Sequence, residues 1–538
     1  MRDVSKSVHK NIGVVASVTM FSRVLGLGRD MLTAAVFGAS ALNSAFVTAF
    51  TLPNLFRRLL GEGALTAALV PTLHEELKRN DREGALRLVS RVASWLLVVT
   101  GILVGAAMLF FALAGRWAAV LRGWGVDADT AGRWEAAASL AVVLFPYLVF
   151  VCLAAAFSAA LQTFNRFLEP ALSPVWLNLS MIGLLGGATW LGWAGTEAGR
   201  MQWLCGGVLA GGFLQMLVPA LALTREGWRP RFELRRDENV RQIMRLMGPT
   251  LFGSAIYLVN MAVSRIIGLS LNDAAATVLN LSTRLMELPI GVFAVAVSTV
   301  VFPQIARHAA AGDMAGLATD YRRGMRLILL INLPAAAGLI ALSGPVVRLL
   351  FQRGAFSLED TLTMSPVVMA SALGLPFFAF TNLALRAFYA RKDTKTPVQA
   401  AWWSFVVNIA ASLLLMRPFG TVGLALAGCL AIVVQAVFLQ VRLTRASETL
   451  AFGYLLNDVL KVTAASVVMG VAVARLWRFW MRWTASMSPA EGGRWLEVIG
   501  VAVCVGAGMA LYAGIVWALR IEGRDELRAL ILRKLRRQ

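Results

Sequence analysis

Residues 17–71 read SVTMFSRVLGLGRDMLTAAVFGASALNSAFVTAFTLPNLFRRLLGEGALTAALVP. Most of this segment is apolar enough to sit in a bilayer, yet it carries Arg23, Arg29, Asp30, Arg57, Arg58 and Glu62. A charge at membrane depth is expensive, so it faces a bundle interior or a wet cavity and points to a transport path. Four arginines so close together suggest an anionic cargo. The same character persists outward from the segment. The chain has 538 residues, 58% hydrophobic and 15% charged, whereas a soluble globular protein is nearer a quarter charged. Apolar runs long enough to cross a bilayer, at roughly 20 residues per helix, recur from end to end. They are continuous rather than alternating, which excludes a transmembrane β-barrel. The expected fold class is therefore an all-α polytopic membrane protein. Breaks at Gly, Pro and charge give about fourteen transmembrane helices, near 12–37, 42–77, 86–114, 134–163, 170–194, 201–224, 242–270, 274–307, 316–343, 360–390, 397–416, 421–443, 455–479 and 495–519.

The net charge is +21, from 51 basic and 30 acidic residues; seven of the basic residues are lysines, which leaves 44 arginines. Most lie between apolar spans, as the positive-inside rule demands, so the charge implies no nucleic-acid partner. The flank with Arg2, Lys6 and Lys10 and the later loops on its side, such as Arg225 to Arg236 and Arg391 to Lys395, are the richer set. That places both termini in the cytoplasm, in agreement with an even number of spans. No small-residue cleavage site closes a short apolar core at the start, so the N-terminus reads as a cytoplasmic flank rather than a removed signal peptide. Cys152, Cys205, Cys429 and Cys504 stand singly, and His9, His74 and His308 form no cluster, so no metal or redox site is expected. No lysine follows a glycine, which excludes a Walker A motif. No catalytic residue and no cofactor is expected: the reading is a transporter, not an enzyme, driven by a gradient, the membrane potential or the substrate itself.

The chain repeats itself. Ser22-Arg23-Val24-Leu25-Gly26-Leu27 returns as Ser264-Arg265-Ile266-Ile267-Gly268-Leu269, Pro170 and Trp176 return as Pro397 and Trp403, and Gln215 with Leu223-Thr224-Arg225 returns as Gln435 with Leu443-Thr444-Arg445. Three matches in one order imply a duplicated six-span unit, inserted the same way round because six is even. The expected organisation is an N-lobe over 1–226, a C-lobe over 227–448, and two further spans with a basic cytoplasmic tail over 449–538. The binding site of such a transporter lies between halves, near the midplane.

The residues expected to bind substrate are Arg23, Arg29, Arg57, Arg58, Arg265 and Arg284, with Asp30, Glu62 and Glu287 as supporting ion-pair partners. A bend at Gly26 and Gly28 would bring Arg23 and Arg29 into one cavity. Arg58 with Glu62 and Arg284 with Glu287 have the i,i+4 and i,i+3 spacings that pair along a helix. Pro53 and Pro289 mark kinks. Asp393 reads as an N-cap ahead of Pro397. Arginine binds phosphate oxygens in a planar, bidentate way and stays charged in a low-dielectric site. A pyrophosphate or phosphorylated lipid head group is the natural cargo; a carboxylate also fits.

Four stretches, SVTMFSRVLGLGRD, LPNLFRRLLGEGALTAALVP, TRLMELPIGVFAVAVSTVVFP and FYARKDTKTPV, carry a resemblance to the MurJ (MviN) lipid II flippase family of the MOP exporter superfamily. The resemblance runs through essentially the whole chain. It implies two pseudo-symmetric six-helix lobes around a central cavity, plus two C-terminal helices that make a lipid-tail groove. It implies alternating access that carries lipid II, the undecaprenyl-pyrophosphate-linked peptidoglycan precursor, from the cytoplasmic to the periplasmic leaflet of the bacterial inner membrane. Partners would be lipid II, membrane lipids and the cell-wall synthesis machinery. The family's cavity arginines fall on Arg23, Arg29, Arg57 and Arg284, its acidic partners on Asp30, Glu62 and Glu287. Relatives often have an acidic residue where this chain has Ser44, and Asp where it has Thr283, so the expected cavity is more cationic here. An exporter of another polyprenyl-diphosphate-linked oligosaccharide, of the O-antigen type, is the alternative. A cation antiporter fits poorly, because an arginine-rich interior repels a cationic cargo; a non-transporting scaffold at the division site would not need the arginines.

Overall fold

The computed structural model describes residues 2–59, 65–79, 81–123, 125–290, 295–485 and 493–521. Among these residues there is no strand. In chain order the helices are α1 (Arg2–Phe37), α2 (Ala41–Leu59), α3 (Leu65–Arg79), α4 (Asp81–Ala112), α5 (Ala114–Gly123), α6 (Ala128–Leu144), α7 (Tyr147–Thr163), α8 (Leu168–Trp190), α9 (Glu197–Arg225), α10 (Glu238–Leu271), α11 (Ala275–Pro289), α12 (Val295–Ala310), α13 (Met314–Ala341), α14 (Ser343–Phe351), α15 (Leu358–Leu373), α16 (Leu375–Ala390), α17 (Lys395–Ala446), α18 (Gly453–Ala485) and α19 (Gly493–Ala518). They form two compact units, Met1–Thr277 with Arg353–Phe356, and Val278–Gln352 with Ser357–Gln538.

Each expected span falls on one or more helices. By length and apolarity alone, eight of the described helices can cross a membrane, or nine if α6 and α7, bent by 45° at their junction, count as one span. Fourteen is therefore not established by this measure. Large apolar side chains stand on the outside, with Ile102, Leu414 and Met509 exposed by 70%, 74% and 67%. Exposure on this scale suits hydrocarbon rather than water.

In the first unit, α8 packs on α9 and on α1, and α7 packs on α9. Leu144, Tyr147, Leu148 and Cys152 meet Met181, Leu185, Leu204 and Val208 in one core. In lipid there is little hydrophobic drive between helices, so close backbone approach through small residues takes its place. A Cβ at Gly207 would lie 2.8 Å from the Met181 Cα, and one at Gly211 would lie 2.8 Å from the Leu177 Cα. The α10 helix packs on α2, α3 and α6. Its last carbonyls are orphaned by helix geometry, and Arg133 of α6 satisfies them: Nε donates to Leu269 O at 2.9 Å and Nη2 to Ser270 O at 3.3 Å, while Nη1 pairs with Asp273 at 3.0 Å. By sequence α10 opens the second repeat, yet its packing lies in the first unit.

In the second unit, α13 packs on α12, α16 and α18. Tyr321, Met325 and Ile328 meet Leu383, Ala387, Leu439 and Leu443. The α17 element is two helices joined at Gly420, whose φ of 56° and ψ of −134° suit glycine; the two halves hold the expected spans 397–416 and 421–443. The α18 and α19 helices share Val462, Met469, Val473, Cys504 and Tyr512 with α13 and the α19 end, and the Tyr512 hydroxyl donates to Leu330 O at 2.8 Å.

The α8–α9 contact makes a direct test. Gly211→Val must push against the Leu177 backbone, and such overpacking costs about 1–3 kcal/mol; the melting temperature in detergent should fall accordingly. Gly206→Ala, whose Cβ would meet only the Leu184 Cδ1 at 3.9 Å, should leave it unchanged.

Candidate functional site

The α1 helix runs unbroken through Gly26 and Gly28. Residues six apart on a continuous helix face different directions, and Arg23 and Arg29 accordingly diverge. Arg23 is exposed and makes no hydrogen bond or ion pair among the described residues. Arg29 is buried. Its Nε and Nη2 reach Asp30 Oδ1 at 3.0 and 2.6 Å, and its Nη1 donates to Asn178 Oδ1 of α8 at 3.1 Å, with Met181 Sδ at 3.9 Å. The Asn178 amide nitrogen in turn donates to Ser22 O at 3.2 Å. One side chain of α8 thus bridges two turns of α1. The amide packs beside Gly26, where a Cβ would stand at an ordinary contact distance of 3.5 Å.

The other candidates are placed as follows. Arg57 and Arg58 lie in the last turn of α2, but their side chains, and Glu62 altogether, lie outside the described residues. Arg265 is 7% exposed and donates to Ala276 O at 3.3 Å. In the second unit Arg284 pairs with Glu287 at 2.8 Å, with side chains 32% and 40% exposed. Ser44 is fully buried; its hydroxyl donates to Asp273 O and lies 3.0 Å from Thr277 Oγ1. Thr283 is exposed and turns its hydroxyl back to Leu279 O at 2.7 Å. Among the described residues, no group of three or more His, Cys, Asp or Glu is arranged to hold a metal ion.

Asp393, in the loop before α17, accepts from the Lys395 and Thr396 amides at 3.0 Å each and from the Thr396 hydroxyl at 2.6 Å. Partial burial pushes its carboxyl up, but these hydrogen bonds outweigh it and hold it below the ordinary carboxylate range. It thus serves the first amides of α17 as expected, but from one residue ahead of the N-cap position, which is Thr394 rather than Asp393. Asn178 is the contact that sequence reasoning missed. Its one signal is a lone amide in the apolar run of α8. Arg386 of α16 was also passed over; it is partly buried, without an acidic partner among the described residues, and lies over the Phe302 ring at 5.5 Å.

Buried and part-buried guanidinium–carboxylate pairs stand on apolar helices of this chain, and comparison with known proteins gives them a context. The family model described as Lipid II flippase MurJ matches residues 33–491. The chain belongs to the MurJ lipid II flippase family. A probable lipid II flippase MurJ of Haemophilus influenzae is 33% identical over 512 residues, covering 90% of this chain and 98% of the relative. A solved structure titled lipid II flippase MurJ, inward closed conformation, superposes with a TM-score of 0.74 at 24% identity, over 94% of this chain and 99% of that one. An inward-facing multidrug resistance MATE transporter of the MOP superfamily superposes with a TM-score of 0.60 at 15% identity, over 80% and 98%. The last two likenesses are of fold. Within the MurJ family fold, the Arg29–Asp30–Asn178 contact is a structural feature of the first unit with a measurable consequence.

Removing one member of a buried ion pair leaves the other charge uncompensated, which costs about 3–5 kcal/mol. Arg29→Ala should therefore lower thermal stability sharply, and Asn178→Leu by less. Arg23→Ala, at an exposed position, should shift stability by no more than about 0.5 kcal/mol. A melting series on the three purified variants checks the order.

Proposed function

We propose that the protein is a lipid II flippase: it moves the undecaprenyl-pyrophosphate-linked peptidoglycan precursor across the inner membrane by alternating access. The family match over 33–491 carries this reading, and the arginines within apolar helices support the cargo's chemistry. A pyrophosphate esterified at both ends is a dianion at neutral pH, and guanidinium groups bind its oxygens in pairs without losing their own charge. Arg23, Arg29, Arg57, Arg58, Arg265 and Arg284 are the proposed head-group ligands, and Asp30, Glu62 and Glu287 hold them when the cargo is absent. Arg23 is the residue ready to bind first, because nothing among the described residues engages it; Arg29 must exchange Asp30 for the cargo.

The organisation proposed with this function is a pair of six-helix lobes over 1–226 and 227–448, followed by two helices and a basic tail over 449–538, with both termini cytoplasmic. The protein performs no covalent chemistry on its cargo. It works beside the enzymes that make and polymerise the precursor, and its loss should show as arrested wall growth and altered cell shape.

Depletion in the source cell should leave lipid II in the cytoplasmic leaflet and lyse the cells. Normal wall synthesis in the absence of any second flippase would overturn the reading, and a defect confined to surface polysaccharide would reassign the cargo to an O-antigen-type carrier lipid. In a leaflet-resolved accessibility assay, Arg23→Ala should lower the flipping rate at least roughly tenfold, the loss expected when a charge-assisted hydrogen bond worth about 1.5–3 kcal/mol is removed, with folding intact.

A further inference from the structure

The connection between α9 and α10 is an extended strap over residues 226–237, and its charges are sorted by face. All three of its carboxylates are engaged by arginines from other elements. Glu226 is held by Arg82 of α4 and by Arg166 at the α7–α8 corner, the latter at 3.1 Å. Glu233 is held by Arg91 of α4 at 3.0 Å, and Asp237 by the same guanidinium. The backbone is stitched down as well: the Glu233 amide donates to Ser94 Oγ at 3.0 Å, and the buried Trp228 indole donates to Ser90 Oγ at 2.9 Å while its ring meets Phe157 at 5.0 Å. With the acids consumed on the α4 side, the outer face keeps only cations. The side chains of Arg225, Arg229, Arg231 and Arg235 are exposed and make no hydrogen bond or ion pair among the described residues, although the Arg231 carbonyl accepts from Ser94 Oγ at 3.4 Å and its guanidinium acts electrostatically on Glu83 of α4. Between them Phe232 and Leu234 are exposed by 65% and 41%.

The positive-inside rule accounts for the sign of this loop but not for the sorting. A solvated loop of mixed charge pairs its own neighbours; here the acids are drawn to α4, Arg236 lies over the Trp95 ring at 4.7 Å, and the side chains of Arg225, Arg229, Arg231 and Arg235 are left without a hydrogen-bond or ion-pair partner among the described residues, beside two apolar side chains. We infer that the strap is a docking surface for anionic phospholipid of the surrounding bilayer. Its arginines would meet head-group phosphates, and Phe232 and Leu234 would enter the interface between them. The strap joins two helices that span or border the membrane, so it lies within reach of the head groups without any rearrangement, and each basic residue at such a surface is worth about 1 kcal/mol. Anchoring it there also restrains the start of α10, because Asp237 caps that helix through the Val240 amide at 2.9 Å.

The test uses the full chain in lipid nanodiscs and reads hydrogen exchange of the strap amides, with phosphatidylcholine alone or doped with phosphatidylglycerol. Phosphatidylglycerol should slow exchange over 227–237 by roughly tenfold or more, given about fivefold per charge engaged. Added salt should reverse the effect. The triple variant R229Q/R231Q/R235Q should lose it, F232S should lose part of it, and R229K/R231K/R235K should keep most of it, since a lysine still supplies the point charge. Equal exchange in the two lipids, or full protection in the glutamine variant, would overturn the proposal. Should the glutamine variant not fold, protection of the lysine variant that persists in high salt would overturn it equally. Inorganic pyrophosphate giving the same protection in phosphatidylcholine would mark a soluble-anion site and refute the lipid assignment.

Discussion

A guanidinium cannot stand alone in hydrocarbon, and the first unit is arranged around that fact. Arg29 sits on a helix that must lie in the membrane, so its charge and its donors have to be met from within the protein. Asp30 meets the charge, and Asn178 takes a donor that Asp30 does not reach. Because Asn178 belongs to α8, satisfying the arginine also ties α1 to α8. The same requirement recurs where no charge is involved. Gln215, fully buried on α9, accepts from the Tyr147 hydroxyl at 3.1 Å and donates to Ser173 O at 2.9 Å, tying α7, α8 and α9 at one point. Polar groups in this fold are thus positional devices: each has few places where it can be satisfied, and the helices take the arrangement that provides them.

That logic explains what could be read from the chain beforehand. Membrane helices announce themselves by length and apolarity, so their positions were legible and the junction at Gly420 fell between two expected spans, whereas the bend before Pro146 lies inside the single expected span 134–163. Within one helix, spacing carries geometry. Arg284 and Glu287 pair at three residues' distance, and Arg23 and Arg29, at six, diverge unless the helix bends. It does not bend, since two glycines lower helix propensity without removing any hydrogen bond. Partners far apart in sequence were not legible. Asn178 lies 149 residues from Arg29, and Arg91 lies 142 from Glu233; nothing local in either residue names the other.

A transporter for an anion needs cationic groups that are neither too well satisfied nor too exposed. A buried ion pair contributes little net stability, because desolvation cancels most of the Coulomb gain, while breaking it without replacement is costly. An anionic cargo is such a replacement. When phosphate oxygens take the place of Asp30 or Glu287 at a guanidinium, positive charge stays neutralised throughout, and the exchange avoids the intermediate that hydrocarbon penalises. The two pairs are graded for this. Arg29 is nearly sealed, with 10% of its side chain exposed, whereas Arg284 retains 32%. Arg284 is thus the more open of the two to exchange through water, while Arg29 is held by Asn178 as well as by Asp30.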